Sequence, residues 1–241
     1  MSPFALLDPA VHLAYVFVTS VAATLPLSSG AAAVCAVALL TVLVRTALLP
    51  LAVRAAGADR ARRAVAPQVD KLRKKYRDDP ARLTEEVNQA YRDAGTSPLA
   101  GMGAALLQLP VISTVYRVVV VPTIAGHPNV LLAANLWGVP LSVHWPQVLA
   151  GAGLVSGPGL LLVLLLGTLT ALAWGTSRQV AARVPAPADA APGQAAVARI
   201  GRLAPFATVV FAAFSPLLVG TYLAVTTAWS VGERALLPRF A

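Results

Sequence analysis

Apolar positions gather into four long runs, at about 30–53, 99–121, 158–176 and 203–231, each near the ~20 residues that a bilayer-spanning helix needs. The last run carries Ser215-Pro216 near its middle, and proline breaks a helix because it lacks an N–H and crowds the preceding turn. It reads as two short spans, 199–214 and 216–232, which a locally thinned bilayer accommodates. Five spans result. Between the first two, Val65, Val69, Leu72 and Tyr76 recur at i, i+4, i+7 and i+11 on one helical face. Asp78-Asp79-Pro80 ends that pattern, and Leu83, Val87, Ala90 or Tyr91, and Ala94 form a second face that stops at Gly95. Two amphipathic helices joined by a tight turn predict an antiparallel helical hairpin. Pro67 opens its first helix, apart from the Arg54–Ala66 piece.

Leu6–Leu25 is apolar but interrupted by Asp8, Pro9 and His12. It is expected to lie along the interface as an amphipathic helix; a sixth crossing there is the alternative and would turn the N-terminus inward. Gly151–Gly159 reads as a flexible loop and the Pro- and Ala-rich Val184–Gly193 as a linker. The expected fold is an all-α membrane protein, a five-transmembrane-helix core with a cytoplasmic hairpin. Its segments are an outer N-terminal piece (1–29), a first span (30–54), the hairpin (55–97), a second span (98–121) and an extracytoplasmic loop (122–157). A third span (158–177), a cytoplasmic loop (178–198), spans at 199–214 and 216–232 and a tail (233–241) complete it.

Composition agrees. Of 241 residues 57% are hydrophobic and 12% charged, with mean hydropathy +0.71, against about 25% charged in soluble domains. The net charge is +9, and its placement says more than its size. Eleven Lys and Arg fall in 54–97, four in 177–202, two in 233–241 and none in 118–157. The positive-inside rule then sets the hairpin, the second basic loop and the C-terminus in the cytoplasm and the N-terminus outside. Five spans satisfy that alternation.

One charge violates the pattern. Arg45 lies within the first apolar run, and its guanidinium keeps its proton at any working pH. Holding it mid-helix costs about 2.5–3.5 kcal/mol, so such residues face a wet cavity or a partner. The apolar runs offer no carboxylate. Polar residues recur at helical spacing in the other spans: Thr41 with Arg45; Thr170, Trp174 and Ser177; Tyr222, Thr226 and Trp229. Gln108, Ser113 and Thr114 lie near Pro110, and Thr208 falls in the fourth span. Singly, each has a local explanation, a backbone hydrogen bond for Ser or Thr and interfacial anchoring for Trp or Tyr. Together with Arg45 they predict one hydrophilic groove. Arg117, near the outer end of the second span, is expected to snorkel outward.

The hairpin's outward residues Arg73, Lys74, Lys75, Arg77, Arg82 and Arg92 form either a solvated topology signal or a docking surface for anionic lipid, ribosomal RNA or a nascent chain. No enzymatic constellation is visible. His12, His127 and His144 lack metal-ligand spacing, no phosphate-binding glycine loop of the Walker kind occurs, and Cys35 has no second cysteine to pair with. Neither a metal, a cofactor nor an enzymatic activity is expected.

Several segments then match a family. Val42-Leu-Val-Arg45-Thr-Ala-Leu-Leu-Pro-Leu51, Lys75-Tyr-Arg-Asp-Asp-Pro80, Tyr91-Arg-Asp-Ala-Gly-Thr-Ser-Pro-Leu99, Leu107-Gln-Leu-Pro-Val-Ile112 and Asn135-Leu-Trp-Gly-Val-Pro-Leu141 resemble the core of the YidC/Oxa/Alb membrane protein insertases. Pro205-Phe206 through Tyr222 to Trp229 resembles their closing helical pair. The likeness covers about 30–237 in the family's order, and a preference for Ala and Arg over Ile and Lys suggests a high-GC, actinobacterial source.

The resemblance implies a groove open to the cytoplasm and to lipid but closed outside. Arg45 would be its charge, Tyr222 its aromatic position and Gln108 to Thr114 its second-span wall. It further implies the bacterial plasma membrane as location, a functional monomer, and as partners nascent membrane proteins, ribosome–nascent chain complexes, the Sec translocon and signal recognition particle machinery, beside the anionic lipids that the hairpin's basic face suits. Arg117 departs from the family pattern, which has an apolar or aromatic residue there. Two rival readings stay open: a small anion transporter or channel using Arg45, and a non-translocating assembly factor for other membrane subunits.

Overall fold

The computed structural model describes residues 5–97, 102–151, 153–183 and 192–236. Its helices are α1 (Asp8–Thr24), α2 (Ser29–Ala47), α3 (Leu49–Lys75), α4 (Pro80–Asp93), α5 (Met102–Val120), α6 (Val130–Ala133), α7 (Trp145–Ala150), α8 (Gly157–Arg183), α9 (Pro192–Ala213) and α10 (Leu217–Leu236). Two antiparallel ladders interrupt them, β1 (Thr123–Ile124) with β2 (His127–Pro128) and β3 (Asn135–Leu136) with β4 (Val139–Pro140). Two helices, α2 and α8 over Gly157–Ala182, are long and apolar enough to cross a membrane, with mean hydropathies of 2.0 and 1.9. The chain turns between α9 and α10 at Phe214-Ser215-Pro216, where proline denies the helix its next amide.

The chain divides into two compact units. The first comprises Met1–Arg45 and Ile112–Ala235. Its core joins Val11 and Val18 of α1, Ala33, Ala36 and Val37 of α2, and Val115, Val118 and Val119 of α5 to Leu217–Val219 of α10. Small residues on α2 let neighbouring backbones come close, the usual device where helices pack in lipid. Gly30 takes this furthest: a Cβ there would lie 2.3 Å from the backbone of Asn135 and Leu136.

The segment 122–157, expected as a plain loop, is ordered by its two ladders. Each turns through two residues of positive φ, Ala125 (50°) with Gly126 (82°) and Trp137 (51°) with Gly138 (82°), the signature of a type I′ hairpin turn. The same segment finishes α10. The Leu217 and Leu218 amides donate to the Val143 and Leu141 carbonyls at 2.9 and 3.0 Å, satisfying donors that a helix start leaves orphaned. α8 begins at Gly157, inside the stretch read from sequence as loop.

The second unit comprises Thr46–Val111 and Leu236–Ala241. Within it α3 and α4 pack through Val65, Val69 and Ala90, flanked by Leu72, Val87 and Tyr91. The Asp79 carboxylate caps α4 by accepting the Arg82 amide at 3.0 Å. Gly95, at φ +64°, ends it in a Schellman closure, with the Thr96 amide donating to the Tyr91 carbonyl at 2.9 Å. α3 differs from the sequence expectation. It runs unbroken from Leu49 to Lys75 with Pro67 inside it. Pro67 is exposed, so water can satisfy the carbonyl one turn earlier and the helix continues past it. Leu48, a single turn residue, separates α3 from α2.

Candidate functional site

α2 ends in the sequence Leu43-Val-Arg45-Thr-Ala47, so Arg45 falls in its last turn, where the helix dipole favours a cation. The side chain is half-buried and reaches α10. Its Nε donates to the Thr226 hydroxyl at 3.2 Å, and Nη2 donates to the same oxygen. Among the described residues no carboxylate pairs with it. A neutral hydroxyl thus receives two of five guanidinium donors, and the full positive charge remains in the site.

The surroundings follow helical spacing. Tyr222, one turn before Thr226, is buried within reach of the Arg45 charge and the Thr226 hydroxyl. One turn beyond, the Ser230 hydroxyl donates to the Thr226 carbonyl at 2.8 Å, and the Trp229 indole donates to the Glu233 carboxylate at 2.9 Å. Thr41 is buried and donates to the Val37 carbonyl at 2.7 Å. The Gln179 side chain of α8 donates to the Val231 carbonyl of α10 at 3.1 Å. Three buried polar atoms of the described residues, Thr176 Oγ1, Gln179 Oε1 and Arg202 Nε, have no protein partner. Such atoms are costly unless water reaches them. All three lie on α8 and α9.

Arg45, Thr226 and Tyr222 come together, with Thr41 one turn along α2. The other expected residues stand as follows. Ser113 and Thr114 are half-buried on α5, and the side chain of Gln108 lies outside the described residues. Thr170 is exposed and donates to the Leu166 carbonyl of its own helix at 2.7 Å. Trp174 is 54% exposed, with the Arg178 guanidinium 3.9 Å above its ring. Sequence reasoning missed Ser230, Glu233 and Gln179. The first two continue the α10 spacing from Thr226; nothing marked Gln179. Arg117 meets Asp8, its Nη2 2.7 Å from the carboxylate, a partner 109 residues away in the chain.

On the second unit Arg73, Lys74, Lys75, Arg77, Arg82 and Arg92 are all exposed. Lys75 and Arg82 lie 4.8 and 5.4 Å from the centre of the Tyr76 ring. A hydrogen bond with Tyr76, aided by the attraction of that group, holds the Lys75 ammonium above the ordinary lysine pKa. Arg73 pairs with Asp70 at 3.6 Å, and Arg92 donates to the Gln89 amide oxygen at 2.8 Å.

Comparison with known proteins adds the family. The model of the 60Kd inner membrane protein family matches residues 26–241. The chain is similar to proteins named membrane protein insertase YidC. It is 38% identical over 86 residues to that of Granulibacter bethesdensis, covering 36% of this chain and 15% of the relative. The Clostridium perfringens protein is 31% identical over 108 residues, 45% of each chain. That of Streptomyces avermitilis is 32% identical over 114 residues, 44% of this chain and 27% of the relative. The matched segment thus spans less than half the length of these curated relatives. With the family model covering nearly the whole chain, the chain belongs to the 60Kd inner membrane protein family, the YidC/Oxa family whose motifs its sequence resembles.

Proposed function

We propose that the chain is a membrane protein insertase that receives nascent membrane proteins in a hydrated, positively charged groove. The observation that carries this reading is Arg45, half-buried at the end of an apolar helix and held by a neutral hydroxyl. The family and its insertase-named relatives support the same reading. In it, α2, α5, α8, α9 and α10 are the five spans, α1 lies at the outer interface, and α3 with α4 forms a cytoplasmic hairpin.

The mechanism needs no covalent chemistry. The hairpin's basic face gathers a ribosome-bound nascent chain beside anionic lipid, with the Sec translocon and signal recognition particle machinery as upstream partners. The substrate's polar or acidic leading segment enters the groove and pairs with Arg45. At an effective dielectric near 20, two charges ~4 Å apart attract by about 4 kcal/mol, against about 1 in bulk water. The following apolar segment leaves sideways into lipid, gaining about 25 cal/mol per Å² removed from water. The membrane potential, negative inside, pushes the acidic tail outward by about 2.3 kcal/mol per charge per 100 mV. A groove reaching part-way across shortens the hydrocarbon path of the polar segment.

Depletion and complementation test the electrostatic step. Arg45→Lys keeps insertion of acidic-tailed single-span substrates, Arg45→Ala lowers it about tenfold or more, and Arg45→Glu abolishes it. Normal insertion by both Arg45→Ala and Arg45→Glu would sink the reading. An anion carrier would instead give solute flux in proteoliposomes. Crosslinks from positions 45 and 222 to stalled nascent chains separate the insertase from an assembly factor.

A further inference from the structure

Arg117 does not simply reach outward. Its guanidinium, 27% exposed, bonds Asp8, 59% exposed, at 2.7 Å. Both charges suit their helix ends: Asp8 opens α1 and Arg117 lies in the last turn of α5. The pair thus ties the start of one helix to the end of another. It borders a cavity of about 240 Å³ lined also by His12, Val121 and Thr123.

α1 packs on the core of the first unit along its length, with Ala14, Tyr15, Phe17, Val21 and Ala22 partly buried against it, and the Asp8–Arg117 pair fixes its first turn. Val11 and Val18 are its buried side chains, while Leu13 and Val16 are exposed. The Tyr15 hydroxyl accepts the Val130 amide at 3.2 Å. The apolar cluster that Val11 and Val18 join includes early residues of α2 and α10 and late residues of α5, together with Leu131, Leu141, Val148 and Leu162. Following α2 from Val37 to Arg45, or α10 from Val219 to Thr226, the lining passes from apolar to polar over about 10–12 Å. The cluster reaches Tyr222, beside the Arg45 site, and its part away from the polar groups is an apolar stopper of which α1 is one piece.

We propose that the Asp8–Arg117 pair is a latch that seats α1 on this stopper and so closes the outer end of the groove. The two residues are positioning residues for insertion, and the idea rests on the insertase reading above. Neither charge touches substrate. Breaking the pair frees the start of α1, exposes Val18 and lets ions leak past the stopper.

The test uses the full chain in proteoliposomes, with Cys35→Ser as background and Val18→Cys as reporter, since Val18 is 0% exposed. Labelling by a membrane-impermeant maleimide and passive proton leak are measured together. Asp8→Asn and Arg117→Gln each raise both by about fivefold, and the exchange Asp8→Arg with Arg117→Asp restores both in part, since each charge then opposes its helix end. Backbone hydrogen exchange of α1 without the Val18→Cys reporter gives the same order of variants if the reporter itself disturbs packing. Unchanged labelling and exchange in Asp8→Asn, failure of the charge exchange to restore, or labelling that rises without leak would each overturn the latch. Arg45→Ala leaves labelling unchanged while lowering insertion, so failure of the groove mechanism reads out separately.

Discussion

Thr226 is the residue on which the state of Arg45 depends. Its hydroxyl accepts from two guanidinium nitrogens, and a hydrogen bond to a charged group contributes about 1.5–3 kcal/mol. Thr226→Val removes the acceptor at nearly constant shape. The expected result is weaker insertion of acidic-tailed substrates, by about tenfold, with Thr226→Ser close to the parent; crosslinking from position 45 to stalled nascent chains measures it. Equal crosslinking in both variants would mean that the hydroxyl does not position the charge. Arg45 was legible in the sequence because an ionised group in an apolar run has few explanations. Thr226 was legible only as part of a stripe, since nothing in a sequence pairs positions 181 residues apart. The same spacing argument put forward Thr170, whose hydroxyl is used by its own helix. Helical periodicity names a face and leaves open what that face meets.

At the scale of elements, apolar runs and proline placed most of the helices, and the i, i+4, i+7 pattern of 65–76 matches the face of α3 that packs on α4. The ladders were not seen. Two-residue strands carry no period, and Ala125-Gly126 and Trp137-Gly138 lack the Asn or Asp that usually announces a type I′ turn. Their positive φ leads to a prediction. Alanine in the left-handed region costs on the order of 1 kcal/mol that glycine avoids. Ala125→Gly is expected to stabilise the first unit by about 0.5–1 kcal/mol, read as a higher unfolding temperature in detergent. A lower one would mean that the alanine methyl packs favourably. The continuity of α3 through Pro67 was also hidden, because proline's effect depends on whether water reaches the freed carbonyl.

For the whole molecule, the distribution of charge carried more information than any single motif. Basic residues crowd into 54–97 and are absent from 118–157, and the exposed cations of the second unit follow that division. If they dock on anionic surfaces, Lys74→Gln with Lys75→Gln and Arg77→Gln weakens binding to phosphatidylserine-containing vesicles by about 1 kcal/mol per charge removed. Sedimentation with vesicles at low and physiological salt measures this; binding that ignores both the substitutions and the salt would leave the hairpin as a topology signal alone.

The short strand segment after α6 has a consequence for how the site keeps its dimensions. Gly30, at the foot of α2, is pressed against Asn135 and Leu136, and the first amides of α10 are held by Leu141 and Val143. Both arms that carry the guanidinium and its hydroxyl acceptor are thus clamped to one stem, as the prongs of a tuning fork are. The gap at their tips is set at the far end by the length and bend of that stem. An insertion or deletion within 135–143 would therefore change the spacing of Arg45 and Thr226 without touching either residue.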